Sequence, residues 1–221
     1  MITTALFDLD ETLLDRDASI KQIAQDQHHR LLNDGSIDST DFIDTFLELD
    51  ANGLTPRPDL YVKLVDRLHL ELPSNDLLSD FNCNAWKSPV LFEGVNTLLT
   101  ELSNKGTRLG VITNGSELSQ KAKLLNSGIA DLIDHYIISG VFGKHKPDPD
   151  IFNSMLESIK ANADECVFIG DNPQADIMGA HNVGMQTVWV SENKSWPDDV
   201  KPVYDWKISH VTEILELPIK W

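Results

Sequence analysis

Two cysteines in 221 residues, Cys83 and Cys166, are too few and too far apart for a disulfide framework. Each sits in an apolar setting and reads as a reduced thiol, which points to a cytoplasmic protein. Basic residues are scarce as well: 18 Lys and Arg stand against 35 Asp and Glu, a formal net charge of −17. A basic face supplies most of the affinity for nucleic acid or an anionic membrane surface, so neither is an expected partner. A small phosphorylated molecule is not excluded, because a metal ion and one lysine set a local field of their own. No apolar run approaches the roughly 20 residues of a membrane-spanning helix, and the N-terminus lacks a charged-then-apolar signal pattern. There is no internal repeat and no low-complexity tract. The 7 histidines have no ligand-like spacing, and His28-His29, in a polar helical segment, reads as solvated surface.

What the chain does have is an apolar run near its start, Ile2 and Ala5-Leu6-Phe7, that reads as a buried strand and ends in Asp8-Leu9-Asp10-Glu11-Thr12. Two carboxylates are costly in a sheet interior. They are tolerable just past the strand's C-terminal edge, facing a cleft with a cation between them, and in open α/β sheets that edge is where ligands bind. The plain alternative is a solvated turn, or a cap for the next helix. The pieces downstream decide between the two.

From 17 to 89 helix-period patterns follow one another without a convincing strand. One stripe holds Ile20, Ile23, Ala24 and Leu31; a second holds Phe42, Ile43, Phe46 and Leu47, with Thr40 as its cap. Leu60, Tyr61, Leu64, Val65 and Leu68 follow Thr55-Pro56-Arg57-Pro58, and Leu77, Leu78, Phe81 and Ala85 form the last stripe. Four short amphipathic helices in a row suggest a small inserted bundle. After Pro89 strands and helices alternate. The apolar runs Leu109-Gly110-Val111-Ile112, Tyr136-Ile137-Ile138, Cys166-Val167-Phe168-Ile169 and Thr187-Val188-Trp189-Val190 are separated by helical patterns. Such βα units predict an α/β fold with a doubly wound parallel sheet, residues 1–16 and 90–221 forming the core and 17–89 the insert.

In such a sheet whatever follows each strand converges on one rim. That rim would collect Asp8 and Asp10, then Thr113-Asn114-Gly115, then Lys146, then Asp171 and Asp176. Hard oxygen donors of this kind suit Mg2+, and Thr113, the amides after it and Lys146 suit a phosphate. Asn114 is equally a turn former or a phosphate ligand. Asp176 is favoured early in a helix by the dipole alone, whatever else it does. Asp148 and Asp150 read as a helix cap and first-turn charge. Lys144 and His145 read as solvent-facing. The residue types suggest a mechanism with Asp8 as nucleophile and Asp10 as acid and base, without a Ser-His-Asp or Cys-His arrangement.

Asp8-Leu9-Asp10-Glu11-Thr12-Leu13, Ile112-Thr113-Asn114-Gly115, Lys146-Pro147-Asp148-Pro149 and Gly170-Asp171-Asn172-Pro173-Gln174-Ala175-Asp176-Ile177, in that order, resemble the four motifs of the haloacid dehalogenase-like hydrolases. The helical insert resembles the α-helical cap of that superfamily. The resemblance implies Asp8 as nucleophile and metal ligand, and Asp10 as acid/base with its backbone carbonyl on Mg2+. It implies Asp171 as a further ligand, Thr113 and Lys146 on the phosphate, and Asp176 pairing with Lys146 or supporting the metal. It further implies a phosphatase of small phosphorylated metabolites; the expected assembly is a monomer or homodimer, and the inserted architecture suggests a cap that opens to admit substrate. Arg16, Asn52 and Arg57 are candidates to reach the leaving group, none of them singled out. Dehalogenation is disfavoured because Asp10 is present, and phosphonate hydrolysis because no lysine near the insert's start is marked. A phosphosugar mutase, or a binding module without turnover, are the remaining alternatives.

Overall fold

The computed structural model describes residues 1–192 and 194–221 and divides into two compact units, Met1–Asp15 with Leu91–Trp221, and Arg16–Val90. The chain starts the first unit with β1 (Thr4–Phe7) and then runs through the second: α1 (Arg16–Leu31), α2 (Ser39–Asp50), α3 (Arg57–Leu68) and α4 (Ser74–Asn84). It returns to the first unit with α5 (Val95–Asn104), β2 (Arg108–Thr113), α6 (Glu117–Asn126), β3 (His135–Ile138), α7 (Ser139–Phe142) and α8 (Pro149–Ile159). Then come β4 (Cys166–Gly170), a π-helical turn over Pro173–Met178 that leads into α9 (Gly179–Asn182), β5 (Gln186–Val190) and β6 (Trp206–Ile208).

The strands of the first unit form one parallel sheet in the order β3-β2-β1-β4-β5-β6. The apolar runs are buried on both faces, as a parallel sheet covered by helices requires. On one face Leu6, Ile112 and Phe168 pack against Ile151, Phe152 and Met155 of α8, with the Phe152 and Phe168 rings edge to face at 5.4 Å. Each such side chain contributes about 1.5–3 kcal/mol by leaving water. Strand order reverses direction between β1 and β4, and there the crevice of a doubly wound sheet opens. Phe7 lies level with Val111 of β2 and Ile169 of β4, so the residues that follow these three strands emerge side by side. The sixth strand, Trp206–Ile208, was not among the sequence expectations; three residues with a central lysine give no apolar run to read.

In the second unit α1 packs on α2 and α4, and α3 on α2 and α4, around Ile20, Ala24, Phe42, Phe46, Leu60, Tyr61, Leu64 and Leu77. Buried Gln27 links three helices: it accepts from the Tyr61 hydroxyl at 2.9 Å and donates to the Leu77 carbonyl at 2.8 Å and to Asp80 at 3.0 Å. Three local expectations are corrected here. His28 is not surface: it is 8% exposed, its Nε2 lies 3.1 Å from the Ile37 carbonyl oxygen, and its ring packs on Phe42. The α2 cap is Asp38 rather than Thr40, because the Asp38 carboxylate accepts from the Thr40 amide at 2.8 Å and Thr40 lies inside the first turn. Cys83 is exposed on α4, outside the apolar setting expected of it.

Candidate functional site

Asp8 follows the last residue of β1, and its amide continues the ladder by donating to the Ile169 carbonyl at 2.9 Å. Its side chain is therefore delivered between β2 and β4, only 10% exposed. Lys146 comes in from the segment before α8. Asn114, at the end of β2, holds that segment from both sides: Oδ1 accepts from the Lys146 amide at 2.9 Å and Nδ2 donates to its carbonyl at 3.1 Å. The Lys146 ammonium then reaches Asp8 Oδ1, Asp176 Oδ1 at 2.7 Å and the Ile112 carbonyl at 2.7 Å. Two of its N–H groups are thus hydrogen-bonded, to Asp8 and to the Ile112 carbonyl, and Asp176 pairs with it by charge.

Asp171 and Asp176 come from the chain after β4. Asn172 caps the π-helical turn by accepting from the amides of Gln174 and Ala175. The turn carries Asp176 back over the strand end, where its Oδ2 accepts from the Asn172 amide at 2.9 Å. Gly170 makes this return possible. A Cβ there would lie 2.5 Å from Asp176 Oδ2 and 2.6 Å from its Cβ. Asp171 is anchored through its carbonyl by the Trp189 indole N–H at 2.9 Å, and Lys194 binds its carboxylate at 2.6 Å.

Asp8, Asp171 and Asp176 each offer a carboxylate oxygen, all within 4.8 Å of one another. Three acids this close and this buried resist ionising together. Burial, only partly opposed by Lys146, pushes the Asp8 carboxyl well above the usual range, and the charges of Asp176 and Asp171 push it further. Asp171 is pushed up to about 6, first by burial and then by Asp176. The Lys146 ammonium is held above its usual value although burial opposes its charge, because Asp176 and Asp8 flank it. A divalent cation is the simplest way to let all three acids ionise, and an all-carboxylate donor set suits a hard ion such as Mg2+.

Asp10 points elsewhere. Its carboxylate is bound by the Lys123 ammonium at 2.8 Å to each oxygen, and Gln120 Nε2 donates to it at 2.9 Å. Gln120 also donates to the Thr113 hydroxyl, and its own Oε1 accepts from Lys123 at 2.8 Å. Thr113 is fully buried at the end of β2, and with its oxygen accepting from Gln120 its O–H is left to donate. Gly115 leaves room for this arrangement: its φ is +148°, and a Cβ there would meet Gln120 Cγ at 2.8 Å.

Of the residues expected at the rim, Asp8, Lys146, Asp171 and Asp176 thus gather around one point, and Asp10 and Thr113 share a second network. The Asn114 side chain is taken up by the Lys146 backbone. Gln120, Lys123 and Lys194 were not anticipated. A signal existed for the first two, since Gln120 and Lys123 lie three apart on one helix face.

A family model for haloacid dehalogenase-like hydrolases matches residues 5–190. The chain belongs to this family. A glyceraldehyde 3-phosphate phosphatase of Pyrococcus abyssi is 33% identical over 200 residues, which cover 88% of this chain and 83% of that protein. Another of the same name, from Pyrococcus furiosus, is 30% identical over 98% of this chain and 92% of its own length. Among solved structures, the HAD-hydrolase YfnB from Bacillus subtilis bound to magnesium superimposes with a TM-score of 0.73 over 97% of both chains. At 22% identity that likeness speaks for the fold alone. The chain's six-stranded parallel sheet flanked by helices is the α/β fold of a haloacid dehalogenase-like hydrolase.

Proposed function

We propose that this chain is a Mg2+-dependent phosphatase that hydrolyses a small phosphorylated metabolite through an aspartyl-phosphate at Asp8. The observation that carries this reading is Asp8 itself. It is a buried carboxylate at a strand end, beside a buried lysine and two further acids whose oxygens lie within 4.8 Å. The relatives named as glyceraldehyde 3-phosphate phosphatases support the substrate class and make that aldehyde phosphate the first compound to test.

Asp8 and Asp171, with Asp176 beside them and the Asp10 carbonyl, would hold the ion. When bound, Mg2+ would supply the positive charge that keeps Asp8 ionised and would draw negative charge from the phosphoryl oxygens. In the first step an Asp8 oxygen forms a bond to phosphorus as the bond to the substrate's alcohol oxygen breaks, and Asp10 hands its proton to that departing oxygen. In the second a water attacks phosphorus, Asp10 takes its proton, and the Asp8–phosphorus bond breaks to release phosphate and restore the carboxylate. Thr113 donates its O–H to the phosphoryl group. Lys146 contributes mainly charge, since its ammonium already serves Asp8, Asp176 and the Ile112 carbonyl, and Asn114 acts by fixing the Lys146 backbone. The Arg16–Val90 unit takes the part of the cap in this reading.

The test is phosphate release from p-nitrophenyl phosphate and from glyceraldehyde 3-phosphate, with Mg2+ and with EDTA. Asp8→Asn should fall to background on both substrates, at least about 1,000-fold below the unaltered chain. An active Asp8→Asn protein removes Asp8 as nucleophile.

A further inference from the structure

Helix α6 buries two polar side chains beside Leu124 on its inner face, while two of its leucines stay outside. Leu118 and Leu125 face solvent at 74% and 56% exposure, whereas Gln120 and Lys123 are buried at 2% and 4%. Burying an ammonium costs several kcal/mol unless it is paired, so a lysine on the inner face needs a partner there. Lys123 finds it in Asp10, contacting both carboxylate oxygens at 2.8 Å. Gln120, one turn earlier, closes the arrangement. Its amide N–H group donates to Asp10 and to Thr113, and its amide oxygen accepts from Lys123. A carboxylate on a loop just past a strand end has several rotamers open to it; three contacts from a single helix select one.

We infer that Lys123 is a positioning residue for Asp10, and that with Gln120 it sets the direction in which Asp10 gives and takes a proton. Lys123 touches neither the substrate nor the reacting phosphorus in this scheme. Through Gln120 it also ties the proton carrier to the hydroxyl that binds the phosphoryl group, so both stand in one register on α6. The inference rests on the proposed phosphatase chemistry and deepens it by adding a residue that none of the four motifs contains.

The experiment compares Lys123→Met with the unaltered chain on two substrates. An alkyl phosphate such as glycerol 3-phosphate leaves as a poor anion and needs Asp10's proton to depart, whereas p-nitrophenolate departs without one. The parameter kcat/KM covers only the steps up to departure of the alcohol, and kcat also includes the attack of water, in which Asp10 must take a proton whatever the substrate was. The expected result is a fall of about 10-fold or more in kcat/KM for the alkyl phosphate. For p-nitrophenyl phosphate kcat and KM should fall together, leaving kcat/KM within about 3-fold of the original. An equal loss of kcat/KM on both substrates would show Lys123 to be merely structural and would overturn the inference while the phosphatase reading stood. No Mg2+-dependent phosphate release by the unaltered chain from either compound would instead sink both. Thermal melting checks that the variant folds. If it does not, Lys123→Gln, which keeps an N–H donor on a shorter side chain, carries the same comparison with a smaller split between substrates, and an even loss there overturns the inference equally.

Discussion

Lys146→Met removes the cation buried between Asp8 and Asp176 and leaves the volume nearly filled. The side chains of Lys146, Asp8 and Asp176 are 2%, 10% and 1% exposed, so water cannot take the lysine's place. Breaking a buried ion pair by removing one partner costs about 3–5 kcal/mol, most of it the cost of the charge left behind. In a chain of this length each kcal/mol shifts the melting temperature by roughly 2–4 °C, so the metal-free variant should melt on the order of 10 °C below the unaltered protein. Mg2+ should close much of that gap, because the ion supplies the positive charge that the methionine lacks.

The loss must also depend on pH, with a definite sign. Burial already holds Asp8 above its usual range with Lys146 present, and removing the lysine raises it further. A carboxyl raised in the folded state costs nothing while the unfolded chain is also protonated, below about pH 4. The penalty grows as pH climbs above that value, where the unfolded carboxyl ionises and the folded one resists. The difference in melting temperature between variant and parent should therefore be small near pH 4.5 and larger near pH 7.5. Circular dichroism melts in EDTA at both pH values, repeated with Mg2+, measure all of this. A metal-free variant melting within about 3 °C of the parent near pH 7.5 would refute the view that Lys146 neutralises this cluster.

Gly170→Ala places a methyl 2.5 Å from Asp176 Oδ2 and should cost about 1–3 kcal/mol of stability. It should also lower phosphatase activity by displacing Asp176 from Lys146; an alanine variant with unchanged melting and turnover would mean the turn after β4 yields freely. Arg57, one of the candidates to reach the leaving group, pairs with Asp50 at 2.6 Å and lies 4.7 Å over the Phe81 ring. In Arg57→Ala, Arg16 would remain on Asp50, so a loss of about 1–3 kcal/mol is expected, read by thermal melting. An unchanged melt with an altered order of substrates would return Arg57 to the role of a substrate contact.

The legible parts of the chain were those in which one residue type does one job over a continuous stretch. Ala5-Leu6-Phe7 and Cys166-Val167-Phe168-Ile169 announce buried parallel strands because nothing polar interrupts them, and the acids just beyond have few structural reasons to be there. Relations between distant stretches were harder. Asn114 could be read as a turn former or a ligand, since only the fold shows both its amide atoms spent on the backbone of Lys146, 32 residues away. His28 and Gln27 look polar and hence external; their partners, the Ile37 carbonyl and Tyr61, lie in loops and helices whose placement periodicity does not specify. Gln120 and Lys123 were passed over for a related reason. On a helix read for apolar residues, nothing marks a glutamine and a lysine as sharing the buried face with Leu124.

The same sheet order explains why two aspartates two residues apart can differ in character. β1 has β2 on one side and β4 on the other, and the chain after each neighbour supplies a different surrounding. From β4 come two more acids, so Asp8 enters a crowded negative cluster with Lys146 beneath it and is raised well above the usual carboxylate range. From β2 comes α6 with its inward lysine, so Asp10 meets a positive charge on both oxygens and an amide donor on one. In the proposed mechanism the nucleophile needs an incoming cation to stay ionised and the proton carrier needs one orientation throughout, and these require different surroundings. Placing each against a different neighbouring strand, with a lysine of its own, keeps the two requirements from competing.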